Sequence, residues 1–184
     1  MVSRRGLLFV AIAAAVVAAD QLTKAVVRAQ MAVFESVPVI DGVLWFTHVE
    51  NTGAAFGMLR GQQWLLVATA VAMLAVVAYV MIHIRPADQW VRFSLALVSG
   101  GAIGNLIDRT VSGAVTDFFD LGWFPVFNVA DIALDVGVAI LVLLLLLKGE
   151  HALVGHHAHR TGTTSEVPHE EGEVLATDVR PTDA

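Results

Sequence analysis

The chain has 184 residues, 57% of them hydrophobic, and a mean hydropathy of +0.71. This length holds one compact unit and hardly two, and the apolar share exceeds the roughly 45–50% of an ordinary soluble domain. Cysteine is absent, which excludes disulfides and thiolate metal sites. The formal net charge of -6 belongs to the tail: from residue 149 onward seven acids meet two arginines, while the rest is close to neutral and presents no basic field for nucleic acid.

In chain order, Arg4 and Arg5 precede an apolar run that ends in small residues near Asp20. The same layout serves a cleavable signal peptide. However, Asp20, Lys24 and Arg28 recur at i, i+4 and i+8, so one helical face continues past the supposed cleavage point. We therefore expect an uncleaved first span over about residues 6–28. Residues 30–61 follow, where "GVLWFTHVEN" has the β-branched and aromatic character of a strand and "NTGAAFG" carries turn chemistry. Residues 62–84 contain no Asp, Glu, Lys or Arg and predict a second span. A third, over about 91–108, is glycine-rich; Gly100 and Gly104 form a small-xxx-small pair that serves close helix packing. A fourth, over about 129–148, is interrupted only by Asp131 and Asp135.

Residues 149–184 lack periodicity and read as a disordered acidic cytoplasmic tail, with His156, His157 and His159 as solvated residues and not metal ligands. Arg4, Arg5, Arg85, Arg92 and Lys148 fall on one side of the four spans, which should be the cytoplasm. Lys24, Arg28, Arg60 and Arg109 fall on the other, most of them beside acids or motif residues. The fold expected for residues 1–148 is thus an all-α membrane protein, four transmembrane helices with a small extracytoplasmic β-rich portion.

Four polar clusters converge on the outer side of that topology: "DQLTK", "ENTGAAFG", "GGAIGNLIDR" and "VTDFFDLGWFPVFNVADIALDVG". Each has a purely structural reading. Asp20 and Lys24 form an i, i+4 ion pair, Asn128 caps the fourth helix with Asp131 at its third position, and Asn105 and Arg109 share a helix face. Together they resemble the lining of a site, because carboxylates near hydrocarbon cost several kcal/mol unless partnered or protonated. The chemistry on offer is narrow: no thiol, no histidine beyond His48, and serines (Ser36, Ser112) without an evident base. Two neighbouring carboxylates that share a proton can activate water and protonate a leaving amine with no cofactor or metal. Gly122 and Pro125 let the chain turn back between Asp117 and Asp131. Asp120 and Asp135 read as peripheral.

"DQLTK", "ENTGAAFGML", "GGAIGNLIDR", "GAVTDFFD" and "FNVADIAL", in this order, closely resemble the motif blocks of the bacterial lipoprotein signal peptidase (signal peptidase II) family. The resemblance implies a four-helix aspartic endopeptidase of the bacterial inner membrane, with its site on the extracytoplasmic side. It implies removal of signal peptides from prolipoproteins by cutting before a diacylglyceryl-modified cysteine. Asp117 and Asp131 are then the catalytic pair. Asp20, Lys24, Asn51, Gly53, Asn105, Arg109, Asn128 and Ala130 match motif positions around it. The expected partners are lipid-modified prolipoproteins and membrane lipid, the expected state a monomer, and no cofactor is implied. The competing reading is a small proton or cation conductor that uses Asp131 and Asp135, one turn apart on one helix face.

Overall fold

The computed structural model describes residues 4–53 and 62–148. The turn read from "NTGAAFG" beyond Gly53, Arg60 and the histidine-containing tail lie outside the described residues. Among the described residues four helices are long and apolar enough to cross a membrane. They are α1 (Arg4–Gln30), α2 (Gln63–Tyr79, prolonged by a π-helical turn, Val80–Ile84), α3 (Gln89–Val111) and α4 (Val129–Lys148). At 1.5 Å per residue each is roughly 30–40 Å long, enough for a hydrocarbon core of ~30 Å. Helix α1 runs unbroken through Asp20 to Gln30.

The helix ends have local causes. Helix α2 stops where Arg85 turns left-handed (φ 51°) before Pro86, which cannot continue a helix. Asp88 then caps α3, its Oδ1 accepting from the Trp90 N–H at 2.8 Å. At the far end Gly113, with φ +83°, releases the chain into a strand.

Helix α3 extends beyond its expected 91–108 at both ends, and it is the central staff of the bundle, packed on α1, α2 and α4. Of its most apolar window 61% is buried, against 6% for α2, which flanks the bundle and faces lipid. This explains why the least apolar span is the innermost one. Helices in lipid are held by close packing and not by hydrophobic expulsion, so small residues mark the contact face. A Cβ at Gly100 would lie 2.6 Å from Val16 Cβ of α1, and one at Gly101 would lie 2.4 Å from the Ala130 carbonyl oxygen of α4. The Gly100/Gly104 pair does bring helices close, but Gly104 opens onto the polar cluster: its Cβ would meet Asp20 Oδ2 at 2.6 Å.

A three-stranded antiparallel sheet, ordered β1–β2–β3, sits where α1 and α3 end and α4 begins. Strand β1 (Ser36–Ile40) is an exposed edge, which tolerates Pro38 and a bulge between Pro38 and Ile40. Strand β2 (Leu44–Asn51) is the segment whose composition predicts a strand. Strand β3 (Val115–Asp120) was not anticipated, because "VTDF" is buried on both faces and lacks polar–apolar alternation. Its partners set the register, with Val49 opposite Asp117 and Asn51 opposite Val115. Phe46 packs edge-on against Phe118 and Phe119 with centroids 6.1 and 5.6 Å apart. Beyond β3 the chain turns at Gly122 (φ +77°) and closes on itself, Phe119 N–H donating to the Phe127 carbonyl at 2.8 Å and Phe127 N–H to the Phe119 carbonyl at 3.0 Å. The turn expected from Gly122 and Pro125 therefore forms, and it delivers Asn128 and the start of α4 beside Asp117.

Gly101→Val should lower the thermal midpoint of the detergent-purified protein by several degrees, since a side chain there meets backbone, and overpacking costs ~1–3 kcal/mol. Ala14→Val, at an exposed position that faces away from the bundle, should leave it within about a degree. Equal midpoints for the two variants in scanning fluorimetry would contradict this packing.

Candidate active site

The site is built outward from Lys24. Its ammonium is 0% exposed and lies 2.8 Å from Asp20 Oδ2 and 2.8 Å from Asp108 Oδ2, and it donates to Asn105 Oδ1 at 2.9 Å. All three ammonium donors are thereby used. A buried ion pair holds only if its remaining polar atoms are also satisfied. Asp20 Oδ1 accepts the Ala130 N–H at 3.0 Å, and Gln21 Nε2 donates to Asp20 Oδ2 and Asp108 Oδ1 at 3.1 Å each. Asp108 also faces Arg28 Nη1 at 3.6 Å and the Thr116 N–H at 3.4 Å. Among the described residues no buried side-chain nitrogen or oxygen lacks a partner.

From this anchor, orientation passes through amides. Asn105 Oδ1 faces Lys24 and accepts from Asn128 Nδ2 at 3.2 Å, so Asn105 Nδ2 points at Asp131 Oδ1, 2.7 Å away. Asn128 and Asp131 form a reciprocal cap at the start of α4. Asn128 Oδ1 accepts the Asp131 N–H at 3.0 Å, and Asp131 Oδ2 accepts the Asn128 N–H at 3.1 Å. The free arm of Asn128, its Nδ2, also donates to Asp117 Oδ1 at 2.6 Å. Asn51 Oδ1 is tied by the Gly53 N–H at 2.9 Å, which turns its Nδ2 onto Asp117 Oδ2 at 2.9 Å. Every oxygen of Asp117 and Asp131 thus receives one neutral N–H donor.

Both carboxylates line one cavity of about 190 Å³, with Asn51, Gly53, Asn105 and Arg109 on its polar side and Phe124 to Phe127 as an apolar wall. The charge of Arg109 acts on Asp131, Asp117 and Asp108. Burial, and then the charge of Asp131, push the Asp117 carboxyl up to about 7, against hydrogen bonds from Asn51 and Asn128 that favour the anion. Among the described residues no group of three or more His, Cys, Asp or Glu side chains is arranged to hold a metal ion.

The structure brings Asp117, Asp131, Asn51, Gly53, Asn105 and Arg109 together at the cavity, with Asn128 buried beside it and bonded to Asp117. Asp20, Lys24 and Ala130 stand one layer behind, Ala130 through its backbone. Both structural readings, the Asp20–Lys24 ion pair and the Asn128 cap, are also realised, so the same contacts hold the helices and shape the site. Asp120 is peripheral, accepting from Thr47 Oγ1 at 2.7 Å and the Gly122 N–H at 2.8 Å. Asp135 is not: it lines the cavity. Its place one turn from Asp131 on the same face was the available signal. Asp108, Gln21 and Thr116 were missed, although Asp108 stands three residues after Asn105, on the same face of α3.

Asp117 sets a pH dependence of stability. Below its ordinary 3.8 the group is neutral in both folded and unfolded chains, and from there to about 7 only the folded chain keeps the proton. Its contribution is therefore fully present at low pH and is lost as pH rises through about 7. Asp117→Asn removes that loss, so the midpoint of the variant relative to the parent should rise between pH 5 and pH 8. An identical pH response in both proteins would contradict the burial of this acid.

The model of the signal peptidase (SPase) II family matches residues 12–147. A lipoprotein signal peptidase of Shouchella clausii is 41% identical over 141 residues, covering 76% of this chain and 93% of its own. One of Brevibacillus brevis is 45% identical over 143 residues, covering 76% and 95%. A bacterial membrane enzyme solved by the in meso method at 2.3 Å superposes with a TM-score of 0.73 at 33% identity, over 76% of this chain and 88% of that one. The matched stretch holds all four spans but the first turns of α1 and the last residue of α4, and every residue of the cavity. A multi-pass membrane peptidase is what these residues make, and the chain belongs to the signal peptidase II family.

Proposed function

We propose that the chain removes signal peptides from prolipoproteins by aspartic catalysis, with Asp117 and Asp131 as the pair. The observation that carries this reading is two carboxylates in one cavity, each held at both oxygens by neutral donors and, among the described residues, neither paired in a salt bridge. Such a pair keeps one proton between them. The anionic member takes a proton from water as the water oxygen attacks the scissile carbonyl carbon, and the protonated member hydrogen-bonds the carbonyl oxygen and then gives its proton to the leaving amine as the C–N bond breaks. Asn51, Asn105 and Arg109 present polar groups to the substrate backbone, and Asp20, Lys24, Asn128, Gly53 and Ala130 hold the geometry. The conductor reading assigns no task to Asp117, Asn51 or Asn128.

The cavity, about 190 Å³, is smaller than the ~300–1,000 Å³ of a typical small-molecule pocket. It takes the residues adjoining the cut, and the acyl chains of the modified cysteine lie along the lipid-facing helices. Each buried methylene is worth ~0.8 kcal/mol, so the lipid supplies much of the binding. In a micellar assay without added metal, a lipidated lipobox peptide should be cleaved before its modified cysteine and the unlipidated peptide poorly. Asp117→Asn and Asp131→Asn should each reduce cleavage by several orders of magnitude. More than about a tenth of the activity in either variant, only ~1.4 kcal/mol of barrier, would overturn the assignment.

The same reading places the dyad on the extracytoplasmic side of the inner membrane, since Arg4, Arg5, Arg85, Arg92 and Lys148 gather at the other end of the spans. It makes residues 1–148 a self-sufficient, monomeric peptidase unit and 149–184 an accessory cytoplasmic tail, in keeping with a family match that ends at residue 147. Replacing everything after His151 with a topology reporter should give a cytoplasmic signal and activity within about twofold of the parent, ~0.4 kcal/mol in barrier. A periplasmic signal would reverse the topology, and a folded but inactive fusion would assign the tail a function.

A further inference from the structure

At the end of the bundle opposite the dyad, the first turns of α1 and α3 enclose a second cavity of about 370 Å³. Arg5, Leu8 and Phe9 line it from α1, and Trp90, Arg92 and Phe93 from α3. Its chemistry is divided: two guanidinium groups on one side, aliphatic and aromatic surface on the other. Arg92 is held in place, its Nε donating to the Pro86 carbonyl at 2.6 Å and its Nη2 to the carbonyls of Pro86 and Ala87. Among the described residues these bonds use Nε and Nη2, which leaves the Nη1 hydrogens available to a ligand. Arg5 and Arg92 repel each other. Asp88, which caps α3 at the Trp90 N–H, attracts Arg92, so among these groups two guanidinium charges meet one carboxylate and a positive charge is left over. Two like charges kept at one cavity are relieved by an anion.

The apolar half narrows the anion's identity. Leu8 and Phe9 follow Arg5 by three and four residues, so they lie one turn deeper into the membrane on the same face of α1. Leu8 is 61% and Trp90 53% exposed, so the cavity opens sideways at the helix ends, where lipid headgroups lie and where arginine and tryptophan are at home. A free phosphate would leave Leu8, Phe9 and Phe93 uncovered. We infer that this cavity binds one anionic phospholipid, its phosphate between Arg5 and Arg92 and the upper part of an acyl chain against Leu8, Phe9 and Phe93. A zwitterionic lipid brings a cation to a pair of arginines and is the poorer ligand. The site needs only the membrane–water interface, so it does not depend on the peptidase reading or on which side the dyad faces.

The test uses the full chain in a neutral detergent, with native mass spectrometry and scanning fluorimetry. Added phosphatidylglycerol should give a one-to-one adduct and raise the thermal midpoint, whereas phosphatidylcholine or inorganic phosphate at equal concentration should do neither. Arg5→Gln, in an exposed first turn, should weaken the phosphatidylglycerol adduct at least tenfold while leaving the lipid-free midpoint unchanged. Arg4→Gln, which removes the same charge one residue away from the cavity lining, should have little effect. Equal binding of phosphatidylcholine, equal loss in both variants, or no loss in Arg5→Gln would overturn the site, and stabilisation by inorganic phosphate alone would overturn its assignment to a lipid.

Discussion

A fully buried ammonium group governs the functional end of this molecule. Lys24 is buried, and its three donors fix two carboxylates and one amide contributed by α1 and α3. Each of those partners passes the constraint on. Asp20 holds the Ala130 N–H and so sets where α4 begins; Asp108 reaches the Thr116 N–H and so sets where β3 runs; Asn105 is turned toward Asp131. Removing one member of such a buried set costs ~3–5 kcal/mol, yet a well-packed apolar replacement of the whole set can be as stable. Its value here is positional. It makes α1, α3, β3 and α4 agree on one arrangement at the level of the site.

That arrangement requires the helices to come close, and α3 shows how. In lipid there is no hydrophobic gain from hiding one apolar helix behind another, so the inner helix is selected for smallness and hydrogen bonding. Gly100 admits α1, Gly101 admits α4, and Gly104 leaves room for the Asp20 carboxylate. Ser94 and Ser99 return their hydroxyls to carbonyls of the preceding turn at 2.8 Å, so neither is an uncompensated polar group. The helix with the weakest claim to be a membrane span is the one the others are built around.

How much of this was legible follows from the same physics. Charge-free stretches such as residues 62–84 face lipid, and a lipid-facing segment must be apolar all round, so α2, and α4 beyond its two aspartates, could be read directly. Helix α3 was read too short because its first and last turns carry polar residues, Gln89 at one end and Arg109 and Thr110 at the other, which a search for apolar runs leaves out. Strand β2 kept a recognisable composition, but β3 is covered on both faces and loses the alternation that reveals a strand. At the site, Asp20, Lys24, Asn105 and Asn128 stood in recognisable motif blocks. Asp108 stood in one too, yet its role depends on Lys24 reaching it from 84 positions earlier, a pairing that spacing on one helix cannot disclose. Asp135 reads as peripheral because it stands one turn deeper in the fourth span than Asp131 and matches no motif position, whereas the cavity follows the face of α4.

The order of groups between Lys24 and the dyad bears on the proposed chemistry. An ammonium in direct contact with either acid would favour its anion strongly: at 2.8 Å and an effective dielectric constant of about 20 the attraction is ~6 kcal/mol, equivalent to roughly four pKa units. A pair pinned in that way could not pass a proton back and forth near neutral pH. Here the ammonium ends on Asn105 Oδ1, and only the far side of that amide touches Asp131. The amide transmits direction fully and charge weakly. Asn128 and Asn51 do the same for Asp117, donating without adding charge, and the acid sits near 7 instead of being driven down. Three asparagines therefore separate two requirements that a cation at the same positions would merge, a carboxylate fixed in space and a proton left free to move.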